Sequence, residues 1–322
     1  REGGGSAHGG ENREHSIVNF LALHGYASST PAADASGVYV YYGAGGVVAY
    51  SHAGEKRWER SLGHESHNFG SASSPVIHED LLIVHADIES QTLAALDKAR
   101  GAEVWRIETG SQDAGDSWST PLLVEAAGGP ELVFHRSQGD PATLAAVEPR
   151  NGKPLWECGV LKDYLCPSPV AAGGVIYAFG YKRGAAVRAG GRGDVSASHV
   201  EWQINSGSEV CTPLVHEGHL YWTSPEGGIA YCLEAASGRF VYQERLRPEA
   251  GRIYASGVLA GGAIYYVSSA AGTYAVAARP EFKQLAHNVI ATDPSVFNGT
   301  PAISGNRMFL RSDGALYCIG TK

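Results

Sequence analysis

Residues 66–76 read S-H-N-F-G-S-A-S-S-P-V. A histidine with Ser71, Ser73 and Ser74 close behind it suggests a catalytic base beside a nucleophile. The proline points elsewhere, because Ser73-Ser74-Pro75 is one copy of a phrase repeated along the chain. Small-small-Pro recurs at Ser29-Thr30-Pro31, Ser119-Thr120-Pro121, Pro167-Ser168-Pro169, Cys211-Thr212-Pro213 and Gly299-Thr300-Pro301, and Ala255-Ser256-Gly257 fills the one gap. From Pro31 onward the spacings are 44, 46, 48, 44, 44 and 44 residues. Seven units at a near-constant period mark a repeat architecture, and the serines of the phrase are therefore structural. No G-x-S-x-G elbow and no S-x-x-K pair occurs elsewhere to restore a nucleophile.

Each unit has the same internal order. A short apolar segment and a turn follow the proline, then a β-branched and aromatic run such as V-Y-V-Y-Y, L-L-I-V-H, L-V-F-H or I-Y-Y-V-S. A third apolar run and a glycine-bearing polar turn lead to an aromatic-bearing strand, as in D-K-A-R-G-A-E-V-W. Period-two runs bounded by turns are strands, and helical periodicity is nearly absent. The predicted fold is all-β: a seven-bladed β-propeller of four-stranded antiparallel blades. Small residues suit the inner strand, where seven strands converge on the axis. Trp58, Trp105, Trp156, Trp202 and Tyr242 suit the outer strand, where the gap between blades widens.

The last unit stops three strands in, at Cys318-Ile319-Gly320, and Ser16–Leu21 has the character of the missing strand. An N-terminal strand closing the ring is expected, with deletion of residues 1–24 sharply lowering the melting temperature. Residues 1–12 read as a flexible tail and residues 13–322 as a single propeller domain.

Composition narrows the role. The 322 residues carry a net charge of −8, so no phosphate-backbone surface and no nucleic-acid partner are expected. No apolar run reaches the ~18–20 residues that cross a bilayer. None of the five cysteines forms C-x-x-C. Cys166 and Cys211 fall on neighbouring inner strands, close enough to allow a disulfide without requiring one, and Cys232 and Cys318 read as small buried third-strand residues. His64-Glu65-Ser66-His67 and His216-Glu217-Gly218-His219 lack the helical spacing of a metal-binding H-E-x-x-H, and no metal site is expected. Arg192-Gly193-Asp194, in a long fourth-unit insertion, spells an adhesion tripeptide by coincidence.

Loops entering the inner strands, and those between second and third strands, converge on one face around a propeller axis. They supply the candidate ligand-binding residues: His67, Asn68, His85, Asp116, Trp118, His135, Tyr164, Lys182, Arg183, Glu209, Arg252, Tyr254 and Arg311. Aromatics among charges of both signs suit a polar small molecule, a glycan or a protein loop.

The stretch Ala95-Leu96-Asp97-Lys98-Ala99-Arg100-Gly101-Ala102-Glu103-Val104-Trp105 resembles the A-x-D-x-x-T-G-x-x-x-W signature of PQQ-like, quinoprotein-type propeller repeats. The phrases G-Y-A-S-S-T-P (25–31), S-W-S-T-P-L-L-V-E (117–125) and G-G-R-G-D-V (190–195) further resemble bacterial PQQ-binding-like repeat proteins, a group related in fold to BamB. The resemblance spans roughly residues 20–320. It implies a periplasmic or secreted location, and an eight-bladed parent truncated at its N-terminus as the alternative to a seven-bladed ring. True quinoprotein dehydrogenases carry a vicinal disulfide, and no two cysteines are adjacent here, so PQQ is not expected as a cofactor. The leading functional reading is a non-catalytic binding or scaffold propeller. The alternatives are a carbohydrate-active lyase or hydrolase with its site on the axial face and, third, a quinone-dependent oxidoreductase.

Overall fold

The computed structural model describes residues 28–67, 69–110, 117–136, 142–161, 165–224 and 227–320. The expected closing strand at 16–21 lies outside them. The protein is a seven-bladed β-propeller with almost no helix. Blade 2 shows the plan: an inner strand Val76–His78, a second strand Leu81–Ala86, a third Thr92–Asp97 and an outer Glu103–Glu108. Each pairs antiparallel with the next. Blades 1, 2, 4, 5 and 6 are four-stranded sheets, blade 3 gains a fifth strand, and the described part of blade 7 has three.

The described core has no single centre. Its hydrophobic clusters are six, and each is the joint between two consecutive blades. Leu81, Ile83, Leu93 and Trp105 of blade 2, for example, pack on Leu132, Phe134, Ala145 and Val147 of blade 3. Sheet faces therefore bury against neighbours rather than against a common interior, and the alternating side-chain pattern follows from that.

The recurrent serine or threonine performs one task at six joints. The backbone N–H of Thr30 donates to Ser74 Oγ at 2.9 Å, that of Ser74 to Thr120 Oγ1 at 3.0 Å, and that of Thr120 to Ser168 Oγ at 2.9 Å. Ser168 continues to Thr212 at 3.0 Å, Thr212 to Ser256 at 2.9 Å, and Ser256 to Thr300 at 3.1 Å. Smallness alone would admit alanine. The hydroxyl is required because an inner strand's unpaired edge needs an acceptor.

The outer-strand aromatics form a second set of ties. Indole Nε1 of Trp58 donates to Lys98 O at 3.1 Å, Trp105 to Pro149 O at 3.0 Å, and Trp202 to Ala235 O at 2.8 Å, each acceptor lying in the next blade's third-to-outer turn. The glycine of that turn lies flat on the indole. A Cβ on Gly101, Gly152 or Gly238 would approach Trp58, Trp105 or Trp202 to 2.6–2.8 Å. Opposite each aromatic stands a small residue followed by a register shift: Ala49, Ala95, Ala146, Ala186 and Cys232. The small partner lets the ring lie across the sheet, and the bulge adds local twist.

Blade 4 departs from the plan. Its third-to-outer connection reaches back, and Gly193–Asp194 pairs in parallel with Trp156 and Glu157 of blade 3. Trp156, which has no regular turn to dock on there, donates to Glu131 Oε2 at 2.8 Å instead. Within Arg192-Gly193-Asp194, Arg192 bonds Glu131 through Nη1 at 3.3 Å and Asp194 accepts from Ser196, so both side chains have partners within the chain.

The cysteines divide. Cys166 and Cys211 are free thiols, as are the other three. Cys211 Sγ faces the carbonyls of Ile253 and Ala255 in blade 6 at 3.4 and 3.5 Å, away from blade 4. Burial pushes the Cys166 and Cys211 thiols up to about 12 and about 11, which keeps them protonated at neutral pH. Cys232 is buried as expected, whereas Cys318 is exposed, since no described strand covers the strand Leu316–Gly320.

Candidate functional site: the axial face

Antiparallel order places the second-to-third hairpins and the blade-to-blade crossovers on the same face of the ring. On it, the loop entering blade 2 turns sharply at residues 67–70. Gly70 N donates to His67 O at 2.9 Å, with Gly70 at φ +67°, a conformation that suits glycine. Phe69 N donates to His67 Nδ1 at 3.2 Å, which leaves the ring proton of neutral His67 on Nε2. Trp118, entering blade 3, donates its indole N–H to Gly70 O at 2.8 Å. The three rings meet: His67 stacks on Phe69 at 5.3 Å, and Trp118 meets both edge-on at 5.1 and 5.9 Å. Trp118 is 6% exposed, while His67 and Phe69 are half-buried. The cluster is an aromatic platform anchored on a buried tryptophan.

Two buried carboxylates anchor loops of this face. The helical turn Asp87–Ser90 follows the second strand of blade 2. Asp87 accepts from Ser117 N at 2.8 Å and Thr109 Oγ1 at 2.5 Å, and His85 Nε2 lies 3.5 Å away. Burial alone would raise the Asp87 pKa, but His85 and these donors outweigh it and hold it below the ordinary value. Glu89 accepts from Tyr41 of blade 1 and from Ser71 of the loop entering blade 2. Each carboxylate thus ties segments that are distant in sequence.

The sequence-predicted residues divide. His67 and Trp118 come together in the platform. Asn68, Asp116 and Tyr164 lie outside the described residues. His85 and His135 are corrected: neither is in a loop, since both sit within second strands and are 1% and 0% exposed. Each closes an apolar run, L-L-I-V-H or L-V-F-H, and the strand takes it in. His135 finds no hydrogen-bond partner among the described residues, and burial, aided by nearby His85, pushes its pKa down to about 3. Lys182 is exposed, its ammonium 5.1 Å over the Tyr181 ring. The half-buried Arg183 closes that hairpin through its carbonyl. Arg252 reaches Tyr254 Oη at 3.2 Å, Arg311 is exposed at the end of its strand, and Glu209 is half-buried beside Cys166. Tyr41, Ser71, Glu89 and Thr109 were not anticipated. The available signal was D-I-E-S at 87–90, two acids where other units have a plain turn.

Among the described residues, no three His, Cys, Asp or Glu side chains are placed to hold a metal ion, and no helix is long and apolar enough to cross a membrane.

A family model described as "Outer membrane protein assembly factor BamB" matches residues 13–244. No curated protein matches the chain significantly. Among solved structures, BamB from Moraxella catarrhalis superposes with a TM-score of 0.67 at 17% identity, covering 92% of this chain and 83% of that one. A europium-containing methanol dehydrogenase gives 0.63 at 11% identity, covering 92% and 74%. A computationally designed protein, Ika8, gives 0.61 at 10% identity, covering 92% and 84%. At these identities the likenesses show the fold alone, which assembly, redox and designed proteins share.

Proposed function

Because the chain belongs to the BamB family of PQQ-type propellers, we propose that it is a non-catalytic scaffold that binds a protein segment across its axial face. The observation that carries this reading is the His67–Phe69–Trp118 platform. It is a half-exposed aromatic surface with a polar Nε2, held by a buried indole that is itself hydrogen-bonded to the loop. Rigid aromatics on a face that also carries charged groups such as Lys182 and Arg252 have the composition of protein-binding hot spots. Among the described residues, the histidine–carboxylate pair His85 and Asp87 of this face is shut from solvent, which favours binding over acid–base chemistry. The family membership supports a periplasmic location.

Quinone does not suit these residues. Trp118, the largest ring of the platform, is buried edge-on against His67 and Phe69 and offers no open face to a planar cofactor. We expect no saturable absorbance change on titration with PQQ.

The test is panning a random peptide library against the full chain, then measuring the selected peptides on Trp118→Ala. A loss of about ten-fold or more, the scale of an aromatic hot spot, is expected. Equal binding to the variant would overturn the reading.

A further inference from the structure

On the face opposite the aromatic platform, the first-to-second and third-to-outer turns of blade 3 and the blade-4 insertion enclose a cleft of about 360 Å³. We propose that this cleft binds a small molecule bearing an oxyanion, phosphate or carboxylate, through Lys153 and Arg192. The site lies apart from the axial face, and the proposal goes beyond the scaffold reading.

The cleft is constructed by the departure from the repeat. Parallel pairing of Gly193–Asp194 with blade 3, reinforced by Val195 N donating to Glu157 O at 2.9 Å, brings Arg192 over the blade-3 turns. Gly128 leaves room for it, since a Cβ there would stand 3.1 Å from Arg192 Nη2. Pro130, Pro149 and Pro154 line the walls and stiffen the backbone. At the back sits Glu131, 1% exposed.

Counting donors and acceptors decides the ligand. Glu131 accepts from Trp156 Nε1 at 2.8 Å, Gly190 N at 3.1 Å and Arg192 Nη1 at 3.3 Å. Glu148 accepts from Asn151 at 2.9 Å. Glu131 is thus engaged through both oxygens and Glu148 through Oε2. Arg150 is turned toward Glu79 and Asp80 of blade 2. Lys153 is exposed, and its Nζ is bonded to nothing among the described residues; Arg192 uses Nη1 and keeps Nε and Nη2. Donors remain without acceptors, and a charge-assisted acceptor is what they require. The volume exceeds that of a bare ion and falls at the small end of ligand sites, which points to an acidic or phosphorylated molecule of sugar size.

The experiment is an NMR titration of the ¹⁵N-labelled full chain, reading the indole N–H of Trp156 because its acceptor forms the back wall. Glucuronate and glucose 6-phosphate are the two acidic probes, and glucose is the neutral control. A saturable shift with either acid and none with glucose is expected, and the acid that binds distinguishes carboxylate from phosphate. Lys153→Gln, at an exposed position, should weaken binding about ten-fold. Arg252→Gln on the other face should leave it unchanged. No saturable shift with either acid, an equal response to glucose, or wild-type affinity in Lys153→Gln would overturn the proposal.

Discussion

His135 shows how a single repeat position can acquire a liability. Its ring is fully buried without a described partner, so the folded chain binds a proton there only near pH 3, whereas the unfolded chain does so near the ordinary histidine value of 6.5. The unfolded state therefore binds more protons as pH falls below 6.5, and stability is lost progressively down to the folded value. By pH 5 the loss from this residue is about 2 kcal/mol. Urea unfolding of His135→Leu should accordingly show a flatter dependence between pH 7 and pH 5 than the wild type. An unchanged slope would remove His135 from the account. At this scale the sequence was partly legible. Ser73 and Ser74 read as structural at once, yet the histidines ending apolar runs read as loop residues, because a run's last residue does not say whether the next blade covers it.

The element of this fold is the joint rather than the strand. Gly152 occupies a left-handed turn at φ +70° and lies on the Trp105 ring, so Gly152→Ala combines backbone strain with a steric clash and should destabilise by about 2 kcal/mol or more. In Trp105→Ala the clash component disappears, and a double-mutant cycle by chemical denaturation should show clear non-additivity. Ser168→Ala removes the acceptor of Thr120 N–H and should cost about 1–2 kcal/mol, measured the same way. Ser168→Thr should be tolerated, since threonine is the acceptor in blades 3, 5 and 7. The periodic phrase and the Gly…Trp spacing were visible as pattern. Their chemistry was not, because donor and acceptor lie 33 to 48 residues apart and a pattern carries no hydrogen bonds.

At the scale of the whole molecule, blade count and strand order followed from periodicity, because each blade repeats the same physical problem. The places that break the repeat were visible in the sequence, but their construction was not: the stacking of His67, Phe69 and Trp118 across two loops, and the parallel crossing of the fourth-unit insertion onto blade 3. Glu131 holds that crossing together. Glu131→Ala would leave the Trp156 indole and Gly190 amide without their acceptor, so limited proteolysis should cut within residues 189–199 in the variant while the wild type resists. The two sets of ties between blades also share a direction. In every described pair of the Ser/Thr ring and of the tryptophan docks, the donor belongs to the earlier blade and the acceptor to the later one. During synthesis from the N-terminus, each of the first six blades therefore leaves the ribosome with an amide whose protein acceptor lies in its successor. That polarity matches the direction in which the ribosome delivers the blades, each of the first six meeting its acceptors in the one that follows it.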